Sequence, residues 1–267
     1  MIMLNDTVIE IGSYPDGTIL MKPDRRAANS AYIEWNYEND REFLVLIYLV
    51  KHLRDHRVHT ITLHMPYIPN ARMDRVKGTD DVFTLKYFAD ILNSLELDRV
   101  WVMDPHSDVS TALINNVCTI SPKSYIYAAL SHMKLVEDVD TDHIIMFYPD
   151  NGAAKRYGNM VSRPYAYGAK NRDWETGKIL GLDVITNGLD LTGKDILIVD
   201  DICSKGGTFL HSAKKLKELG VNRIYLYISH CENTILEGEM LTSGLIEKVY
   251  TTDSIFTKEH EMIEVLK

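Results

Sequence analysis

The stretch that most constrains the fold of this chain is residues 196–208, which read ILIVDDICSKGGT. Four consecutive aliphatic residues are typical of a buried parallel strand, and two carboxylates, Asp200 and Asp201, follow them. A pair of glycines then precedes a helix-like run, where backbone N–H groups can approach an anion closely. Carboxylates repel phosphate, whereas they accept hydrogen bonds from sugar hydroxyls or bind a metal. The segment therefore predicts a pocket for a ribose that carries a phosphate.

Strand-like and helix-like stretches alternate along all 267 residues. Residues 41–56 and 85–95 have the periodicity of helices, and the hydrophobic residues 60–65 between them have the character of a strand. A second series of strands and helices begins after residue 122. This alternation predicts an α/β protein with mainly parallel, doubly wound sheets, organised as domains 1–122 and 123–267.

The composition argues against several classes of protein. The chain has 29 basic and 38 acidic residues, a net charge of −9, and no dense basic stretch, so nucleic acid is a poor partner. The N-terminal residues lack a signal-peptide pattern, and no window approaches the roughly 20 apolar residues of a membrane span. Three scattered cysteines suit neither a disulfide framework nor a zinc site. We expect a cytoplasmic protein that acts on small molecules, without nucleic acid or membrane.

Four segments resemble motifs of one family, and they occur along this chain in the same order as in that family. Residues 196–208 resemble the signature of the type I phosphoribosyltransferase fold, which is a hydrophobic strand, two acids and a loop ending in Gly-Gly-Thr. Residues 65–75 (MPYIPNARMDR), 97–106 (LDRVWVMDPH) and 148–156 (YPDNGAAKR) resemble the PY..ARQDR, DRVLTVDLH and SPDxGG..RA stretches of ribose-phosphate diphosphokinases. The resemblance implies two related phosphoribosyltransferase-like domains, the first binding ATP and the second a ribose phosphate.

The resemblance also implies a reaction, a cofactor and an assembly. The diphosphoryl group of ATP would move to the anomeric hydroxyl of a ribose phosphate with the help of Mg²⁺, in a homo-oligomer of at least two subunits. Three alternatives stay open: the same chemistry on ADP-ribose, a phosphoribosyltransferase, and a non-catalytic regulatory homologue. A phosphoribosyltransferase would not need segments 65–75 and 97–106, so these segments favour the diphosphokinase.

Two segments resemble ATP-binding motifs. Arg72 and Arg75 flank Asp74 and resemble the family's phosphate-binding arginines, with Met73 in place of a glutamine. A pair of solvated loop arginines is the alternative interpretation.

Residues 13–18 (SYPDGT) resemble the family's FSDGE loop, which holds adenine across a subunit contact. The resemblance implies that Tyr14 and Asp16 contact the nucleotide, with Thr18 in place of the family's glutamate. Pro-Asp-Gly is also a good turn sequence between two strands, and the two roles are compatible.

Four further residues are candidates for catalysis or metal binding. By resemblance His106 contacts magnesium or the ATP phosphates and takes part in catalysis, although a lone histidine is more often structural. Asp150 supplies a hard oxygen ligand for the metal, and it could also cap the following helix. Lys170 and Arg172 resemble the cations of the family's mobile catalytic loop, for which the alternative is an exposed β-hairpin with scattered charge.

The phosphate loop departs from the family's usual Asp-Thr-Gly-Gly-Thr, because Ser204 and Lys205 replace the acid and the first threonine. These two replacements raise the local charge by about two units. One explanation is a tighter grip on a 5-phosphate, and another is an acceptor with more negative charge beyond the 5-position, such as ADP-ribose. The predicted ribose-phosphate residues are Asp200, Asp201, Ser204, Lys205, Gly206, Gly207 and Thr208.

Overall fold

The computed structural model describes residues 1–23, 29–172 and 179–267. It forms two compact units, Met1–Ser121 and Pro122–Lys267. Each unit packs helices against a largely parallel sheet, so the predicted α/β fold class is confirmed. No helix in these described ranges has both the length and the apolar character needed to cross a bilayer.

The first unit is built on a six-stranded sheet of order β2-β1-β5-β6-β7-β8, in which β5 to β8 are parallel and β1 and β2 are antiparallel additions. The strands β3 and β4 form a separate antiparallel hairpin. The elements are β1 (Ile2–Leu4), β2 (Thr7–Val8), β3 (Ile11–Ser13), β4 (Ile19–Met21), β5 (Ser30–Trp35), α1 (Asp40–Asp55), β6 (Thr60–His64), α2 (Thr84–Asn93), β7 (Arg99–Met103), α3 (Asp108–Leu113) and β8 (Val117–Ile120).

The second unit is built on a seven-stranded sheet of order β11-β10-β9-β12-β13-β14-β15, parallel except for the β10–β11 pair. Its elements are α4 (Lys123–Leu135), β9 (Ile145–Tyr148), α5 (Asn151–Tyr157), β10 (Tyr165–Arg172), β11 (Ile179–Ile185), β12 (Ile196–Cys203), α6 (Gly207–Glu218), β13 (Ile224–Cys231), a 3-10 helix (Asn233–Glu237), β14 (Lys248–Thr252) and β15 (Ile263–Leu266).

The helix α1 shows why the sequence forms these elements. Its buried apolar residues Val45, Leu46, Leu49, Val50 and Leu53 follow the helical period and face the sheet. The sequence placed this helix at residues 41–56, and the structure begins and ends it one residue earlier.

Strand β12 lies at the centre of the second sheet and is covered on both faces. Ile198 is fully buried and pairs in register with Phe147 of β9 and Leu226 of β13, which are also fully buried. Burial of each such side chain stabilises the folded protein by roughly 1.5–3 kcal/mol. The register fixes what lies beyond the apolar part, because Asp200 and Asp150 come two and three residues after a paired position. Both acids therefore lie at the carboxyl edge of the sheet, where ligands bind in open α/β folds.

Candidate active site

The acidic tip of β12 carries an asymmetric pair of carboxylates. Asp201 is buried, and its Oδ2 atom lies 3.2 Å from Nη1 of Arg156 on α5. Asp200 accepts a hydrogen bond of 3.0 Å from the backbone N–H of Asp201. Burial, followed by the charge of Asp201, raises the pKa of Asp200 well above its usual value, and the charge of Asp150 adds to this effect. The sequence reasoning did not single out Arg156, although it closes the recognised segment 148–156.

Asp150 caps helix α5. Its backbone is extended, and its Oδ1 atom accepts hydrogen bonds from the N–H groups of Gly152 at 2.9 Å and Ala153 at 3.1 Å. The capping alternative is thus present in the structure. A carboxylate has two oxygens, so capping through Oδ1 is compatible with a metal at Oδ2.

The donor set at these strand tips suits magnesium. Asp150, Asp200 and Asp201 place three hard carboxylates at the ends of adjacent strands, and a divalent cation would relieve the repulsion that raises the pKa of Asp200. No group of three or more His, Cys, Asp or Glu side chains in residues 1–23, 29–172 and 179–267 is arranged to hold a metal alone. Magnesium commonly takes one or two protein carboxylates and completes its shell with substrate phosphates and water.

The two glycines of the phosphate loop, Gly206 and Gly207, have different surroundings. Gly206 has a φ of 78°, and a Cβ there would lie 2.8 Å from Sδ of Met240. Gly207 begins α6, and a Cβ there would meet nothing within 4 Å. The protein's own packing therefore requires the first glycine, whereas the second opens onto the space above the helix N-terminus. That N-terminus presents unpaired backbone N–H groups and a partial positive charge, which suit a phosphate.

The two substituted residues of the loop have partners that the sequence reasoning missed. Nζ of Lys205 lies 3.0 Å from Oε2 of Glu237, so a neighbouring carboxylate offsets the charge that lysine adds to the loop. The hydroxyls of Ser204 and Thr234 are 3.1 Å apart. Nothing in the sequence indicated that the region around Thr234 and Glu237 packs beside this loop.

The predicted phosphate arginines of the first unit border a buried acid. Asp74 is buried and accepts a hydrogen bond of 3.1 Å from Nε of Arg75, while Arg72 and Arg75 are exposed. Burial acts to raise the pKa of Asp74, but hydrogen bonding by Arg75 and Ser107, together with the charges of Arg75 and His106, lowers it overall. Because Arg75 uses Nε for this contact, its Nη edge is the part suited to a two-point phosphate contact.

The loop between β3 and β4 is a tight turn with an exposed aromatic ring. Oδ1 of Asp16 accepts hydrogen bonds from the backbone N–H of Thr18 at 3.0 Å and from its hydroxyl at 2.7 Å, and these bonds lower the pKa of Asp16. Tyr14 is 52% exposed. Nη2 of Arg41 on α1 donates hydrogen bonds to the carbonyl oxygen of Gly12 at 2.8 Å and the hydroxyl of Ser13 at 2.6 Å, which ties the hairpin to the helix.

The predicted catalytic cations occupy the end of a hairpin strand. Lys170 and Arg172 lie on β10, whose backbone pairs antiparallel with β11. Their side chains, and the intervening residues 173–178, lie outside the described residues.

Similarity to known proteins extends over nearly the whole chain. The ribose-phosphate pyrophosphokinase of Shewanella oneidensis is 28% identical over 274 residues, which cover 99% of this chain and 82% of the relative. That of Sulfurisphaera tokodaii is 26% identical over 254 residues, which cover 92% and 84% of the two chains. The chain is therefore similar to ribose-phosphate pyrophosphokinases along nearly its whole length. The resemblance predicted from the four sequence segments is thereby confirmed.

A solved structure shares the fold of this chain. The crystal structure of phosphoribosylpyrophosphate synthetase from Mycobacterium smegmatis matches with a TM-score of 0.78 at 18% identity, covering 97% of this chain and 85% of that one. No protein-family model matches the chain. The departures from the resembled motifs at Met73, Ser204 and Lys205 are therefore local differences between chains that share a fold.

Proposed function

We propose that the protein transfers the β,γ-diphosphoryl group of ATP to the anomeric hydroxyl of ribose 5-phosphate, giving phosphoribosyl diphosphate and AMP. Two observations carry the proposal. Asp200 and Asp201 at the end of β12 are followed by the glycines that begin α6, and the chain is similar to pyrophosphokinases along nearly its full length. The anomeric oxygen attacks the β-phosphorus, and the bond from that phosphorus to the oxygen bridging it to the α-phosphorus breaks. Negative charge concentrates during this transfer, so catalysis rests on positioning and on cations.

The second unit supplies the ribose-phosphate residues in this proposal. The N–H groups of residues 205–208 bind the 5-phosphate at the start of α6, and Asp200 and Asp201 accept hydrogen bonds from ribose hydroxyls. The ion pair with Arg156 supports the role of Asp201, because it holds that carboxylate in one orientation.

The first unit supplies the ATP residues. Arg72 and Arg75 bind the phosphates, Asp74 orients Arg75, and Tyr14 stacks on the adenine of ATP with Asp16 shaping the turn beneath it. His106 contacts the ATP phosphates.

Two further cations and a metal complete the proposed machinery. Lys170 and Arg172 neutralise the diphosphoryl group as it moves. Mg²⁺ would neutralise charge on the phosphates when bound, with Asp150 proposed as a ligand in the second unit and His106, separately, in the first.

The decisive experiment is to incubate the protein with ATP, Mg²⁺ and ribose 5-phosphate, and to measure AMP and phosphoribosyl diphosphate by chromatography and ³¹P NMR. We expect the two products in equal amounts and none without the sugar. A parallel reaction with ADP-ribose tests the extended acceptor, although the ion pair of Lys205 with Glu237 weakens the charge argument for it. Binding of both substrates without AMP formation would instead support a regulatory homologue.

Replacing Tyr14 with alanine is expected to raise the KM for ATP by about tenfold, because stacking of a base on an aromatic ring is lost. The KM for ribose 5-phosphate should stay within about twofold. Tyr87 is the matched control, since it is 54% exposed against 52% for Tyr14 and lies on α2. Equal effects of Tyr14→Ala and Tyr87→Ala would count against a nucleotide role for the loop.

We further propose a homo-oligomer of at least two subunits in the cytoplasm. The family resemblance supports the assembly, because the loop that corresponds to residues 13–18 holds adenine across a subunit contact. The location is supported by the three free cysteines Cys118, Cys203 and Cys231, which suit a reducing compartment. Light scattering of the purified protein tests the assembly, and an active monomer would contradict it.

A further inference from the structure

The segment that follows β13 packs directly against the phosphate loop. The backbone N–H of Glu232 donates a hydrogen bond of 2.8 Å to the carbonyl oxygen of Cys203. A side chain at Gly238 would overlap the carbonyl oxygen of Lys205, so the two backbones are in close contact. Residues 232–238, which we call the buttress, thus support the loop.

A chain of hydrogen bonds joins the buttress to Ser204. The hydroxyl of Thr234 donates to Oε2 of Glu232 at 3.1 Å, and the same hydroxyl oxygen lies 3.1 Å from the hydroxyl oxygen of Ser204. An ionised carboxylate can only accept hydrogen bonds, and a hydroxyl has a single proton to donate. Because Thr234 gives its proton to Glu232, it must accept the proton of Ser204.

This order of donors determines what Ser204 offers to a ligand. With its proton directed to Thr234, the Ser204 oxygen has only lone pairs left for the pocket. Phosphate oxygens are acceptors, and an acceptor facing them is repelled. A sugar hydroxyl is a donor, and it matches.

We propose that Glu232, acting through Thr234, holds Ser204 as a hydrogen-bond acceptor for a hydroxyl of the sugar, while the backbone of residues 205–208 binds the phosphate. The identity of the sugar rests on the proposed function. Ser204 is then a specificity residue, and Glu232 and Thr234 are positioning residues.

The proposal also explains how serine can replace aspartate in this loop. Aspartate, the family's usual residue at this position, is an acceptor when ionised, and Glu232 makes Ser204 behave in the same way. The charges agree as well, because Lys205 pairs with Glu237 and the lost aspartate charge is carried by Glu232. The loop with its two glutamate partners therefore keeps one net negative charge, as the single aspartate would give.

The test uses Ser204→Ala, Thr234→Val and the double variant of the full chain, with equilibrium binding of ribose 5-phosphate and of inorganic phosphate measured by NMR. Ser204→Ala should weaken binding of ribose 5-phosphate about threefold to tenfold, and it should leave binding of inorganic phosphate unchanged or strengthen it by up to about twofold. Thr234→Val frees the Ser204 proton, so it should strengthen binding of inorganic phosphate about threefold. Adding Ser204→Ala to Thr234→Val should abolish that gain.

The control is Thr242→Val, because Thr242 is exposed and its hydroxyl donates to the carbonyl oxygen of Glu239 at 3.2 Å, away from Ser204. It should change neither affinity. Weaker binding of inorganic phosphate to Ser204→Ala would show that Ser204 donates to phosphate and would overturn the proposal, as would equal losses for both ligands in Thr234→Val.

Because these measurements are of binding, they separate the proposal from the enzymatic reaction. Wild-type protein that binds both ligands but forms no AMP would refute the proposed function and leave the donor order to be decided by the variants. Wild-type protein that binds neither ligand would refute both.

Discussion

Alanine at Gly206 is expected to destabilise the protein and alanine at Gly207 is not, although the two residues are neighbours. Gly206 has a φ of 78°, where a side chain costs about 1–2 kcal/mol. Its Cβ would also lie 2.8 Å from Sδ and 2.9 Å from Cβ of Met240, and such overpacking costs about 1–3 kcal/mol. Gly206→Ala should therefore lower the free energy of unfolding by about 2–5 kcal/mol.

Gly207→Ala should leave stability unchanged or raise it by up to about 1 kcal/mol, because Gly207 lies in the first turn of α6 and a Cβ there meets open space. The same methyl group would lie where we propose that the phosphate approaches the backbone. Binding of ribose 5-phosphate should then weaken by about tenfold or more. Urea unfolding and calorimetric titration of both variants test the pair. A Gly207→Ala protein that binds ribose 5-phosphate normally would show that the phosphate binds elsewhere.

These two glycines illustrate where sequence reasoning reaches its limit. The run of four aliphatic residues in β12 was enough to predict a buried parallel strand, because such runs have few other stable environments. The same run predicts that Asp200 and Asp201, which come directly after it, lie at the end of the strand. Sequence treats Gly206 and Gly207 alike, however, since the difference arises from the positive φ of Gly206 and from Met240, which lies in a distant part of the chain.

The interaction partners of charged and polar residues were also not predictable from the sequence. Counting charges suggested that Lys205 makes the loop more attractive to anions, but the structure pairs it with Glu237. The donor order at Ser204 likewise depends on Glu232 and Thr234, which the fold brings to the loop from the end of β13. Such pairings depend on how a connecting segment packs against the loop. Hydrophobic periodicity predicts helices and strands, but it does not predict that packing.

The alternative interpretations of polar residues proved to be compatible with the functional ones. Asp150 caps α5, and Asp16 closes the turn after Tyr14. Each residue has a structural role that local sequence predicted through capping and turn preferences. Substitution of either residue should therefore change both stability and ligand binding, because one carboxylate serves both roles.

Asp200→Asn should increase the stability of the protein at neutral pH while it removes most of the activity. Burial and the charge of Asp201 raise the pKa of Asp200 well above the ordinary value of 3.8. A carboxyl group whose pKa is raised by folding stabilises the native state below its unfolded pKa, and this contribution is lost as pH rises through the folded pKa. At neutral pH the ionised group therefore destabilises the fold, by about 1.4 kcal/mol for each unit of the shift.

Asparagine removes that charge and keeps an oxygen that can accept the 3.0 Å hydrogen bond from the N–H of Asp201. The difference in unfolding free energy between Asp200→Asn and wild type should grow from near zero at about pH 4 towards neutral pH. Turnover should fall by about a hundredfold, because the amide donor replaces an acceptor that we propose binds the ribose hydroxyls. Urea titrations at several pH values and the AMP assay measure the two effects.

Asp98→Asn is the control of opposite sign. The backbone N–H of Ile61 and the side chain of Arg54 hydrogen-bond to Asp98 and lower its pKa, so this carboxylate stabilises the protein above its unfolded pKa and loses that effect as pH falls. Asp98→Asn should therefore reduce stability at neutral pH and leave the reaction nearly unchanged. If Asp200→Asn also lost stability at neutral pH, the charge of Asp200 would have to be compensated by neighbouring cations, and the strand tip would no longer have the excess negative charge on which the magnesium proposal depends.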